Sequence, residues 1–322
     1  AYLGRFVPIS AQAVALLSIV GISLIHSYNI RQSSLFQNVF TALKLLLILF
    51  IVGAGLWYGR VNGGLDWGPE WQREIWQPGF AVALIYVTYA FSGWNAAAYI
   101  VEEIRRPAVN LPRALLGGTL LVSLLYVLLQ LAFLNQVPVA ALQGKVEVGQ
   151  VAGRYLFGEE GGRLISFGIA LLLVSSISAM VWVGPRVTRA MAAEHPIWRF
   201  LAKDNRYGIP VRAIWLQSGL SIAMILTSSF EQVLLYSGFI LQLFTTITVA
   251  GVFLLRQRPG RRDAFRTPLY PLPQIVYLLI SCWILGFLLY ERPYESLLGL
   301  TNLLVGAVSY WWSNRFAARM RD

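Results

Sequence analysis

The sequence is poor in the groups that carry most enzymatic chemistry. Its 322 residues include one cysteine, Cys282, and two histidines, His26 and His195. A single cysteine permits no disulfide within the chain and no thiolate metal cluster. Two histidines on separate segments lack the ligand spacing of a zinc site. Neither a P-loop nor a GxGxxG dinucleotide fingerprint is present, so no metal and no cofactor are expected. Charged residues are also scarce, at 13% of the chain; a soluble protein of this length would expose far more. A membrane enzyme of lipid metabolism would need a cluster of acids or histidines facing the bilayer, and the sequence offers none.

What the sequence has in abundance is apolar length. Hydrophobic residues make up 57% and the mean hydropathy is +0.61. Nine apolar runs recur, near 12–29, 35–58, 79–101, 114–135, 163–185, 211–228, 231–255, 272–290 and 294–313. Each approaches the roughly 20 residues that cross a bilayer as a helix. The short alternating segments of a membrane β-barrel are missing. The expected fold is an all-α polytopic membrane protein with nine spans in one transmembrane domain, each span satisfying its own backbone hydrogen bonds.

The net charge is +11, and its placement matters more than its size. Most Lys and Arg fall in the alternate loops 102–113, 186–210 and 256–271 and in the tail after the last run. By the positive-inside rule those segments and the C-terminus face the cytoplasm, while 60–78, 136–162 and 291–293 face outside. Basic residues spread in this way orient a membrane protein, and no nucleic-acid partner is expected. Loop 60–78, with VNGGLDWGPEWQREIW, has the aromatic anchors of an interfacial segment.

Two polar interruptions in the apolar runs stand out. Lys44 sits in LFQNVFTALKLLLILFIVG, well inside its run. An ionisable residue within a span is costly and marks a functional site by default; the plainer reading is a lysine snorkelling to the inner interface. Ser92-Gly93-Trp94-Asn95 interrupts the run at 79–101. Glycine weakens a helix interior by about 0.5–1 kcal/mol relative to alanine. Irregular backbone at membrane depth is tolerated only where it is buried in protein or lines a cavity. Secondary transporters use such breaks to hold the charged ends of a substrate; the plainer reading is a pair of small packing residues. Other features favour structural roles. Gly55 and Gly59 form a GxxxG of close helix packing. Glu102 and Glu103, among Arg105, Arg106 and Arg113, read as salt-bridged anchors at a helix end, and His26 as a core or interfacial histidine.

The run Phe91-Ser92-Gly93-Trp94-Asn95, then Glu102-Glu103, Arg106-Pro107 and Asn110-Leu111-Pro112-Arg113-Ala114, resembles the sixth helix of the amino acid–polyamine–organocation permeases. The likeness is strongest to the L-type amino acid transporter branch and its bacterial relatives. Phe40-Thr41-Ala42-Leu43-Lys44 resembles the fifth helix of that family. Gly184-Pro185-Arg186-Val187 with Ala190-Met191-Ala192 resembles the end of the eighth, and Pro210-Val211-Arg212-Ala213 with Leu216-Gln217 the entry to the ninth. Any one motif is weak, but together, in family order, they are strong.

This resemblance implies a LeuT-type inverted-repeat fold in which the nine spans match family helices four to twelve, so that the chain is an incomplete copy lacking helices one to three. It implies a sodium-independent secondary transporter, a permease or exchanger of amino acids or related organic amines, working by alternating access. In such proteins the broken helix binds the substrate amine through backbone carbonyls, here at Tyr89, Ala90 and Ser92, with Phe91, Gly93, Trp94 and Asn95 completing the break. Tyr89 takes the place of an aromatic lid that is usually Phe. The substrate carboxylate would meet helix one. Lys44 takes the position of a sodium ion, with Ser175, Ser176 and Ser178 as candidate partners. The loop before helix four, AYLGRFVPIS, lacks the cysteine that joins eukaryotic members to a heavy subunit, so no disulfide-linked heavy subunit is expected. The lipid bilayer, an amino acid or amine substrate and the bacterial cytoplasmic membrane complete the expectation. The alternative is a non-transporting scaffold or a proton-channel subunit of a larger complex; a channel subunit would need ionisable groups on several spans.

Overall fold

The computed structural model describes residues 10–28, 33–58, 71–99, 101, 104–257 and 267–319, and every described element is helical. In chain order the helices are α1 (Ala11–Tyr28), α2 (Ser33–Trp57), the short α3 (Trp71–Glu74), α4 (Pro78–Ala90), the short α5 (Ala96–Tyr99), α6 (Pro107–Gln136), the short α7 (Val139–Leu142), α8 (Val148–Glu194), α9 (Val211–Thr227), α10 (Phe230–Arg256), α11 (Leu272–Glu291) and α12 (Pro293–Arg319). A 3-10 turn at Ser92–Asn95 joins α4 to α5, and another, Pro196–Ala202, follows α8. Helices α6, α8, α10, α11 and Gln37–Trp57 of α2 are long and apolar enough to cross a membrane, and the bent pair α4–α5 passes the same test when taken together. Helix α9 and residues Gln12–Tyr28 of α1 are apolar but shorter.

Several elements depart from the expected runs, each for a local reason. Residues 148–157 are helical within what the hydropathy pattern leaves as a loop. Val148, Val151, Ala152 and Phe157 pack together at helical spacing against Ile51 and Phe133, and a helix this short cannot register as a span. At Gly158, with φ 74° and ψ −173°, the chain kinks and continues as the long apolar arm of α8. The two arms pack closely across the kink: a Cβ on Gly153 would lie 3.1 Å from the Gly162 Cα. Helix α8 then runs past Pro185 to Glu194, where the sequence places a loop from 186. Arg189 pairs with Asp204 at 2.8 Å and ties this extension to the following segment. Helix α6 begins at Pro107, whose missing N–H is no loss in a first turn. Glu102 and Glu103 lie outside the described residues.

The apolar surface points outward. On α6, Leu116, Leu120, Leu124 and Val127 are exposed at helical spacing, while Leu125, Ala132, Phe133 and Gln136 are buried. That inversion suits a lipid solvent, where association comes from close packing and interhelical hydrogen bonds rather than from hiding leucines. Two compact units divide the chain: Ala1–Asp66 with Leu120–Leu226, and Trp67–Thr119 with Thr227–Asp322. In the first, Ile22, Val181, Ile209 and Ile214 form one core and Ile51, Phe133, Val137, Ala152 and Ile165 another. In the second, α4, α10 and α11 meet around Ile85, Leu235, Phe239, Ile284 and Leu288. Gly238 makes that meeting tight, since a Cβ there would stand 2.9 Å from Ile85 Cγ2.

Candidate functional site

In the second unit the interrupted run is a bent helix. Helix α4 ends at Ala90, and Phe91 still donates its N–H to the Val87 carbonyl at 3.2 Å. The chain then tightens into the 3-10 turn Ser92–Asn95 and resumes as α5, bending by 41°. The interruption is therefore a tightened and bent helix rather than an extended gap. Gly93 does not enter the left-handed region, and nothing lies within 4 Å of where its Cβ would be. Its bare backbone faces open space, which leaves room for close approach by a ligand.

The bend lines a cavity of about 180 Å³. Phe91, Ser92, Trp94 and Asn95 contribute from the bend, and Gly238, Leu241, Gln242 and Thr245 from α10, with Tyr277 from α11 and Thr88 from α4. Of the residues singled out in the sequence, Tyr89, Ala90 and Gly93 stand beside this lining rather than in it. Tyr89 is 38% exposed. Asn95 Nδ2 donates to the Tyr99 hydroxyl at 3.2 Å.

In the first unit Lys44 reaches α8. Its Nζ donates to Ser175 Oγ at 2.8 Å and to Ser176 Oγ at 2.9 Å. Ser175 is fully buried. Ser178, the third candidate, pairs instead with His26, whose Nε2 lies 2.8 Å from Ser178 Oγ. His26 is buried, in keeping with a core histidine. Nearby, Ser23 Oγ and Ser218 Oγ are 2.6 Å apart, Ser27 Oγ donates to the Ser23 carbonyl at 2.7 Å, and Asn205 Nδ2 donates to the Ser27 carbonyl at 3.3 Å. A polar seam thus joins α1, α8 and α9, and Lys44 bonds to α8 residues of the same stretch.

Gln242, Thr245 and Tyr277 belong to no motif that singles them out in the sequence. Gln242 is buried, and its Nε2 donates to Ser281 Oγ at 2.8 Å and to the Tyr277 hydroxyl at 3.4 Å. An amide inside the apolar run 231–255 is the same kind of signal as Lys44, without the charge. No group of three or more His, Cys, Asp or Glu able to hold a metal occurs among the described residues.

An apolar helix bent beside a cavity that carries polar side chains such as Ser92, Asn95 and Gln242 is a feature that secondary transporters use. The family comparison agrees: the chain belongs to the amino acid permease family, whose model matches residues 8–305. The chain is 27% identical over 312 residues to the serine/threonine exchanger SteT of Bacillus subtilis (strain 168), covering 94% of this chain and 69% of that protein. It is 27% identical over 305 residues to the mouse large neutral amino acids transporter small subunit 2, covering 92% and 57%. To the mouse b(0,+)-type amino acid transporter 1 it is 24% identical over 303 residues, covering 92% and 61%. The chain therefore spans less than two thirds of the length of these mammalian relatives. The resemblance read from the motifs holds. The protein is an all-α polytopic membrane protein of a family of transporters, not of enzymes.

Proposed function

We propose that this protein is a secondary active transporter of amino acids or related organic amines, sodium-independent and working by alternating access in the bacterial cytoplasmic membrane. The observation that carries the proposal is the 41° bend in an apolar helix over a cavity that includes Ser92 and Asn95. A continuous helix satisfies its own backbone and offers nothing to an ammonium group, whereas the end of a helix segment presents carbonyls. Tyr89, Ala90 and Ser92 are the positions for that contact, with Tyr89 as the lid. The nine apolar runs are proposed as nine crossings, and the placement of basic residues supports loops 102–113, 186–210 and 256–271 and the C-terminus lying in the cytoplasm. The relatives are named for serine and threonine exchange and for large neutral amino acid transport, and between them they leave the substrate's side chain open.

Sodium independence rests on Lys44. A tethered ammonium donating to Ser175 and Ser176 supplies a positive charge to hydroxyl oxygens, as a bound sodium ion would. Uptake of labelled amino acids into cells producing the protein should be unchanged when sodium is replaced by choline. A steep rise with sodium would refute this part of the proposal.

The protein is also proposed to work without a disulfide-linked heavy subunit. No cysteine lies in residues 1–10, and Cys282 sits within α11. On non-reducing gels of membranes the band should stay at the monomer position, and a heavier band that collapses with reductant would count against this.

A further inference from the structure

We infer that the segment joining α8 to α9, residues 195–212, is a docking surface for the headgroups of anionic phospholipids. The proposed orientation makes the leaflet it meets the cytoplasmic one. The binding itself is read on purified protein and depends neither on that orientation nor on transport.

The segment connects two apolar helices, so it runs along the edge of the bilayer. Its side chains divide by face. Leu201 is buried, and Ile209 joins Ile22, Val181 and Ile214 in one core of the first unit. Trp198, Phe200 and Tyr207 are exposed, and the Trp198 and Phe200 rings stand 6.2 Å apart. Exposed Trp and Tyr at such an edge sit at the level of lipid headgroups. The backbone that presents them is held in place. Asn205 Oδ1 accepts from the Tyr207 N–H at 2.9 Å and the Ile209 N–H at 3.0 Å, and its Nδ2 reaches the Ser27 carbonyl on α1. Gly208, at φ 74°, supplies the left-handed residue of that turn. Arg212 Nη1 donates to the Phe200 carbonyl at 3.0 Å, which draws its charge back onto the 3-10 turn Pro196–Ala202.

Charge selects the partner. Arg199, Lys203, Arg206 and Arg212 are exposed, and Asp204 is the one acid in 195–212. The Asp204 carboxylate is taken by Arg189 of α8 at 2.8 Å. None of the four cations pairs with a carboxylate among the described residues; Arg206 lies over the Tyr207 ring, 4.7 Å from its centroid. Uncompensated cations interleaved with exposed aromatics match an anionic membrane surface. Phosphate oxygens meet the guanidinium and ammonium groups, and the rings enter the headgroup layer beside them. A soluble acidic protein would meet the cations alone and leave Trp198 and Phe200 without a role.

The test is native mass spectrometry of the protein as the cell makes it, titrated with phosphatidylglycerol or phosphatidylcholine and read as Kd for the first lipid bound. A basic residue close to an anionic membrane surface contributes about fivefold in affinity. Wild type should therefore prefer phosphatidylglycerol by at least about tenfold. Arg199→Gln/Lys203→Gln/Arg206→Gln should bring the ratio close to one. Lys145→Gln/Arg163→Gln, which removes two exposed basic residues elsewhere in the first unit, should leave it unchanged. Trp198→Ala/Phe200→Ala should weaken both lipids by a similar factor and keep the ratio. Lys203→Gln alone should lower the ratio about fivefold; it carries the test if the triple variant does not fold. A preference that the basic-residue variants retain in full, one that the control pair loses equally, or an aromatic variant that binds both lipids as wild type does would overturn the docking surface. Equal affinity of wild type for the two lipids would overturn it as well and point to a soluble acidic partner instead.

Discussion

Lys44→Ala is expected to lower amino acid uptake by at least about tenfold while the protein still assembles in the membrane. Its ammonium makes two charge-assisted hydrogen bonds to α8, at 2.8 and 2.9 Å. Bonds of this kind contribute about 1.5–3 kcal/mol each, and about 1.4 kcal/mol is a factor of ten in an equilibrium. Removing the side chain leaves Ser175 and Ser176 without the cation that joins them to α2. Ser175 is fully buried, so water reaches it poorly. Helix α8 is held to α1 independently, through His26 and Ser178, so the loss should fall on function more than on assembly. The check is initial-rate uptake together with a size-exclusion profile in detergent. Wild-type uptake in a monodisperse Lys44→Ala protein would show that transport does not need Lys44.

Gly55→Val is expected to destabilise the protein by on the order of 3 kcal/mol. A Cβ at Gly55 would lie 2.7 Å from Ala132 Cβ and 3.1 Å from the Ala132 carbonyl oxygen. The neighbour includes backbone, so relief requires α2 and α6 to separate. Separation would also break two bonds to the Gly55 carbonyl, from Asn135 Nδ2 at 2.8 Å and Gln136 Nε2 at 2.9 Å. Gly53 is exposed on the same helix and has nothing within 4 Å of where its Cβ would be, so Gly53→Ala should be neutral. Thermal unfolding in detergent measures both variants. A fall of several degrees for Gly55→Val with none for Gly53→Ala is the expected result, and equal behaviour would show that the close approach is unimportant.

How far the sequence foretells these features depends on how each signal stands out from an apolar background. Lys44 is legible because a charge inside a run is costly, and its partners on α8 follow from the family resemblance. Ser178 lies close to Ser175 and Ser176 in sequence, but it is two residues beyond Ser176, about 200° around the helix from it and about 3 Å along the axis. That places Ser178 toward His26 on α1 instead. The interruption at 91–95 is visible in composition, yet composition cannot tell an extended gap from the tightened 3-10 turn that the backbone adopts. Gly55 reads correctly as a packing glycine, since close helix approach is what small residues permit in lipid. The helix at 148–157 is invisible to a search for spans because it is short and only half apolar. Gln242 is uncharged, and its meaning depends on Tyr277 and Ser281, two residues on another helix that no local pattern connects to it.

Time-dependent uptake of a labelled amino acid into proteoliposomes, carrying the protein as the cell makes it, tests the central claim most directly. The expected result is accumulation that saturates with concentration, is competed by the unlabelled amino acid and proceeds in sodium-free buffer. Uptake no greater than in protein-free vesicles, or rising linearly without saturation, would contradict it.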